Sequence, residues 1–417
     1  MSRNEALQFI NVAHFFDHFF LLIFPTAALA IAPAWGMSFA DVLLFGTPLY
    51  VMFALGTLPA GWFGDRIDRL TLIAVFFIGC GASSIWISLA TGPKAMTFGL
   101  ASLGLFAAIY HPVGLAHVTQ IGLRSGRALA VNGVFGNMGL AGAAIMTGIL
   151  AQFFSWQTAF ALPGVASVAI GCLLILRNRK NRRLAVSSPV NNKCVVTKHN
   201  RRVQWSVFLV ICVAALFGGM VFNMVTISLP KFLAERLVNE NADLAWVGVS
   251  AGLVFAVAAF AQLPVGELLD RIGARPVFLS LLAGETFLLL ALTQATGWAA
   301  LALALLAVTL IFAAIPITTW LIGHYLDAGV RSRAVSVEYV LSLGVGSSAV
   351  PLIAFLQRTG LGFDLQFAGL AMSSAIIFAA GLFLPKSKRL QRQHETTRTQ
   401  ADQGPRRPHS GHSGRAG

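Results

Sequence analysis

The chemistry-bearing residues gather near the start of the chain. His14, Asp17 and His18 are spaced i, i+3 and i+4, so on a helix they share one face. Asn11 sits about one turn earlier and extends the same stripe. The surrounding run, 6–32, is long and apolar enough to cross a bilayer. A charge near the middle of such a span costs about 2.5–3.5 kcal/mol on insertion scales, so Asp17 is expected to face a cavity or a partner. A carboxylate that binds a proton in one state and releases it in another performs proton coupling, with His14 and His18 beside it. The competing reading is a hydrogen-bond cluster that ties the first span to a neighbour. Farther on, Tyr110 and His111 precede Pro112, which removes a helix donor and frees a carbonyl beside a His. That is a ligand contact or, equally, a packing kink.

The elements that position these residues are membrane spans. Hydrophobic residues make up 56% of the 417-residue chain and charged residues 11%, against about 25% charged in soluble domains, which excludes an ordinary soluble enzyme. Twelve spans are predicted, near 6–32, 42–64, 70–93, 95–123, 128–154, 156–176, 203–230, 244–266, 276–294, 297–324, 334–356 and 365–385. The net charge of +14 would suggest nucleic acid on a soluble chain. Here 26 of the 30 Lys and Arg fall on one side of the membrane, leaving Lys94, Lys231, Arg236 and Arg358 on the other. That asymmetry places both termini in the cytoplasm and removes the case for nucleic acid. The expected organisation is a six-helix bundle over 1–176, a basic cytoplasmic linker over 177–202, a second bundle over 203–385, and a disordered cytoplasmic tail over 386–417. The 4 Cys form no CxxC or Cys/His cluster, so neither a disulfide frame nor a metal site is expected.

The halves repeat. Leu58-Pro59-Ala60-Gly61 with Asp65-Arg66-Ile67 recurs as Leu263-Pro264-Val265-Gly266 with Asp270-Arg271-Ile272, and Phe106-Ala107-Ala108-Ile109 recurs as Phe312-Ala313-Ala314-Ile315. Pro25 and Pro230 keep the same offset. Duplicated six-span halves put a substrate site between them near the bilayer midplane and expose it alternately to each side. The loop Gly61-x-x-x-Asp65-Arg66-x-x-Arg69 resembles the signature loop of the major facilitator superfamily, with Gly266-x-x-x-Asp270-Arg271-x-Gly273 as its partner in the second half. Asp68 stands where that pattern has Gly. His14-Phe15-Phe16-Asp17, Ile109-Tyr110-His111-Pro112 and Val134-Phe135-Gly136-Asn137-Met138-Gly139 are similar to the fosmidomycin-resistance group of drug exporters.

The resemblance implies an all-α membrane protein with twelve transmembrane helices in two pseudo-symmetric six-helix bundles. It implies that spans 1, 4, 7 and 10 line the pathway, and that Gly61, Asp65, Arg66, Arg69, Gly266, Asp270, Arg271 and Glu338 latch the cytoplasmic side shut in one conformation. For Glu338 an ion pair with a cytoplasmic arginine is the favoured local reading, since Arg333 is five residues away. Asn11, Tyr110, His111, Asn223, Thr226, Thr319 and Trp320 are the substrate-binding candidates, although any one Thr is more readily explained by a bond within its own helix. Glu285, in the middle of a span expected to be peripheral, has no sequence-level explanation. The function expected is secondary active transport of a small organic molecule across a bacterial inner membrane by a monomer. Proton-coupled efflux is the preferred direction, with the proton gradient as energy source and no cofactor. Alternatives are proton-coupled import of a nutrient or metal chelate and, remotely, an intramembrane metal-dependent enzyme. No Gly-x4-Gly-Lys motif supports an ATP-driven pump.

Overall fold

A computed structural model of the chain describes residues 2–121, 125–181, 200–237 and 243–385. Most of the expected linker and all of the expected tail lie outside the described residues. Twelve helices are long and apolar enough to span a membrane: α1 Arg3–Ala34, α2 Phe39–Gly64, α3 Arg69–Ser88, α4 Pro93–Val118, α5 Ala128–Phe153, α6 Trp156–Asn178, α7 Arg201–Arg236, α8 Leu244–Ile272, α9 Ala274–Leu292, α10 Gly297–Tyr325, α11 Gly329–Arg358 and α12 Gly362–Gly381. They follow the expected order. The main boundary difference is α7, which runs on through Lys231 and Arg236 instead of ending at 230. Its last turn is held by a contact between Lys231 and Glu235 (3.1 Å) and by Arg236 with Asp364.

Proline chemistry explains where four spans break. The helical run lapses after Leu44 in α2, after Ala107 in α4, after Ala259 in α8 and after Gly346 in α11. Pro48 stands four residues beyond its lapse, and Pro112, Pro264 and Pro351 stand five beyond theirs, where the ring crowds the carbonyl of the preceding turn and offers it no donor. α7 instead carries a π turn over Ala214–Gly218.

Packing repeats along with sequence. α1 lies on α5 and α7 on α11; α3 lies on α6 and α9 on α12; α2 lies on α4 and α8 on α10. The halves meet through two matched pairs, α5 with α8 and α2 with α11. Glycine permits the closest approaches. A Cβ at Gly139 of α5 would lie 2.1 Å from the Phe15 carbonyl oxygen of α1, and one at Gly148 would lie 2.8 Å from Gly248 Cα of α8.

The two signature loops make the same turn by different means. Gly273 takes φ +83, in the left-handed region that favours glycine, and ends α8 directly before α9. Asp68, its counterpart, keeps φ −52 and caps α3 by accepting from the Thr71 N–H (3.0 Å). Aspartate thus replaces the pattern's glycine without strain.

Candidate functional site

The stripe on α1 meets α4 and α5 in one buried polar cluster. His111 Nε2 lies 3.2 Å from Asp17 Oδ2, and Asp17 has no exposed surface. The Pro112 break allows this: α4 restarts at Tyr110 and turns both Tyr110 and His111 toward α1. Asn132 of α5 binds three partners. Its backbone oxygen lies 2.7 Å from His14 Nδ1, its side-chain oxygen accepts from the Tyr110 hydroxyl (2.9 Å), and its amide donates to Asn11 Oδ1 (3.0 Å). His14 stacks on Tyr110 at 4.6 Å and meets His18 edge-on at 4.8 Å. Gly136 leaves room for this ring, since a Cβ there would sit 2.5 Å from His14 Nε2. His18 and His111 are partly exposed although they lie along the middle of their helices, so the cluster borders the space between the halves. Tyr339 of α11 reaches it from the second half, with its ring 5.7 Å from that of His111.

Five candidates from the sequence therefore converge with His18: Asn11, His14, Asp17, Tyr110 and His111. Two members were not singled out. Asn132 lies in a glycine-rich run whose register against α1 cannot be read from spacing; its polar side chain in an apolar span was the available signal. Tyr339 belongs to the opposite half and carried none.

The second-half candidates lie elsewhere or look inward. The Asn223 amide donates to the Gly219 carbonyl (2.8 Å) and the Thr226 hydroxyl to the Phe222 carbonyl (2.8 Å), both within α7. Thr319 is exposed. Trp320 does not join the central cluster: it lies near the end of α10, where its indole N–H donates to Asp270 Oδ1 of the second signature loop (3.0 Å) and its ring stacks on His324. Glu338 departs from expectation. It meets the Thr318 hydroxyl across the α10–α11 contact, and among the described residues no ion pair joins it to an arginine. Glu285 faces the bundle: it is 3% exposed and meets Ser374 of α12, which explains a carboxylate in a peripheral span.

The signature-loop residues bond within their own halves. The Arg66 guanidinium donates to the Trp62 carbonyl (3.0 Å) and covers its ring, Arg69 donates to the Ala116 carbonyl (3.3 Å), and Arg271 pairs with Glu267. A Cβ at Gly61 would have only Pro112 near it, and one at Gly266 would meet open space. Among the described residues, polar contacts between the halves sit on the opposite face. Asp41 of α2 pairs with Arg358 of α11, Gln152 of α5 accepts from the Leu244 N–H of α8 (3.2 Å), and Lys231 lies over the Phe39 ring at 5.3 Å. The structure is closed at that face.

A buried carboxylate–imidazole pair within the first of two duplicated helical bundles, beside the space between them, is an arrangement suited to a membrane transporter. The profile of the Major Facilitator Superfamily matches residues 9–351, and the chain belongs to that family of transporters. It is 30% identical over 129 residues to an MFS-type efflux pump of Mycolicibacterium smegmatis, covering 31% of this chain and 29% of that protein. It is 25% identical over 158 residues to a puromycin resistance protein of Streptomyces alboniger, covering 37% of this chain and 29% of that one. The chain thus aligns with under a third of the length of these relatives. Among solved structures it resembles a bacterial homolog of the human lysosomal transporter Spinster in an inward-facing, unoccupied conformation, with TM-score 0.67, 15% identity, and coverage of 92% of this chain and 94% of that chain. It also resembles a peptide transporter in complex with sulfate, with TM-score 0.69, 14% identity and coverage of 90% and 95%. At these identities the likeness concerns the fold.

Proposed function

We propose that this protein exports a small organic molecule across a bacterial inner membrane in exchange for protons, as a monomer with both termini in the cytoplasm. The observation that carries this reading is the fully buried Asp17 facing His111 across α1 and α4, beside the space between the halves. A lone charge at that depth is costly, so the pair's proton content determines which conformations can enclose it. Asp17 takes the proton, with His14 and His18 completing the coupling group. Asn11, Tyr110 and His111 present hydrogen-bonding groups to cargo from the first half, and Asn223, Thr226 and Thr319 flank the path in the second. The names of the efflux and resistance relatives support outward transport. One charge moved through 100 mV supplies about 2.3 kcal/mol, enough to drive the exchange.

The Lys and Arg asymmetry supports a cytoplasmic basic face, where Gly61, Asp65, Arg66, Arg69, Gly266, Asp270, Arg271 and Glu338 form the latch in the alternative conformation. The closed face, with Asp41 and Arg358, is then the outer one. The test uses inverted membrane vesicles with a pH-sensitive dye and a panel of organic compounds. Proton movement triggered by one compound, lost in Asp17→Asn and kept in Thr286→Val on α9, whose hydroxyl donates to the Leu282 carbonyl of its own helix, supports the reading. Movement unchanged in Asp17→Asn removes it, and cargo uptake into cells would reverse the direction.

A further inference from the structure

The coupling group and the cargo-facing His111 bring three imidazoles to one point. His14, His18 and His111 offer ring nitrogens that all lie within 4.8 Å of one another. Two of these rings are set from behind. A carbonyl oxygen only accepts, so the Asn132 oxygen at 2.7 Å fixes the proton of His14 on Nδ1 and leaves a lone pair on Nε2. His14 is 6% exposed, and among the described residues its Nε2 has no partner. Asp17 stands against His111 Nε2 in the same way, and His111 Nδ1 is likewise buried without a partner. An acceptor on one ring nitrogen and a bare lone pair on the other is how proteins orient metal-ligating His. Without a ligand, those buried lone pairs are desolvated and uncompensated.

We propose that His14, His18 and His111 bind one divalent first-row transition-metal ion, with Asp17 as the carboxylate behind His111. The proposal rests on the transport reading and narrows its cargo to a metal complex of a small organic chelator. Imidazole donors suit zinc, copper and nickel. Three protein ligands leave a coordination position free, as in open zinc sites, and the chelator would fill it from the space bordered by Tyr339. Donors around a tetrahedral ion stand about 3.3 Å apart, so binding draws the rings inward.

The test titrates the purified full-length protein, prepared without a polyhistidine tag, with Zn²⁺ by calorimetry and with Co²⁺ by visible absorption. One Zn²⁺ per chain with Kd near or below about 1 μM is expected, with the visible bands of four-coordinate Co²⁺. His18→Ala should weaken Zn²⁺ at least tenfold, and Asp17→Asn by about 10–100-fold, the usual loss for an outer-shell partner. The His residues of the tail, His394, His409 and His412, remain in every variant, so the difference isolates the cluster. A metal-free unfolding temperature of His18→Ala equal to that of the wild type shows that the variant is folded, and loss of the Zn²⁺-induced rise in that variant shows that it has lost the site. Absence of saturable Zn²⁺ binding, or binding unchanged in His18→Ala, overturns the proposal. Compound-driven proton movement without Zn²⁺ binding removes the metal site alone. Zn²⁺ binding without such movement keeps the site and removes the transport reading.

Discussion

The two halves share a fold and differ in chemistry. In the first, α1, α4 and α5 pool Asn11, His14, Asp17, Tyr110, His111 and Asn132 into one connected network. At the repeat-related positions the second half carries Phe222 for Asp17, Asn223 for His18, Pro316 for Tyr110 and Ile317 for His111. Its polar side chains turn back on their own helices, as Asn223 and Thr226 do. Glycine closes the matching helix pair in both halves: Gly136, Gly139 and Gly142 press α5 onto His14 and Phe15 of α1, while Gly219 sets α7 against Ser342 and Gly346 sets α11 against Asn223. The signature loops add a second contrast, aspartate capping in one half and a left-handed glycine in the other. Duplication supplies two matched bundles, and one of them has become the chemical half while the other closes around it. Tyr339 is the second half's contribution to the cluster.

Predictions that probe this contrast fall in a clear order. Asp17→Asn should bring compound-driven proton movement in vesicles below detection, while Thr286→Val on α9 of the second half changes thermal stability by less than about 0.5 kcal/mol and leaves movement intact. Equal losses would dissolve the division of labour. Gly139→Val places a branched side chain against the Phe15 carbonyl and should destabilise the protein by about 3 kcal/mol or more in detergent unfolding. Gly344→Ala should stay within about 0.5 kcal/mol in the same assay. Tyr110→Phe leaves the Asn132 oxygen without its hydroxyl donor, at about 1–2 kcal/mol, and comparison with Thr226→Val shows whether the network or the single bond matters. Trp320→Phe removes one partly exposed bond to Asp270 and should cost about 0.5–1 kcal/mol, with little effect on the cluster.

Much of this was legible in the residues. The twelve spans follow from apolar length, and the repeat follows from motifs at one offset. Helical spacing placed His14, Asp17 and His18 on one face, and Pro112 marked where α4 would open beside His111. What stayed hidden depends on contacts between helices. Asn132 matters because glycines let α5 slide close to α1, a register that no single-helix pattern encodes. The three imidazoles meet because α4 breaks ahead of Pro112, which brings His111 to His18 across 93 residues of sequence. The bond from Trp320 to Asp270 is equally hidden, because hydropathy gives a span's extent and not the depth of one side chain within it. Glu285 needed α12, whose Ser374 gives it a partner.

The central claim is that one polar pocket opens to one side at a time as the halves rock. Asp41 and Arg358 join the halves at the closed face, so their replacement by a cysteine pair, after the native Cys80, Cys172, Cys194 and Cys212 are changed to Ser, allows that face to be locked with a thiol-reactive cross-linker. The locked protein should show no compound-driven proton movement in vesicles, while the same double variant left uncross-linked moves protons like the Ser-only parent. Proton movement at the parental rate in the fully cross-linked protein would contradict the account.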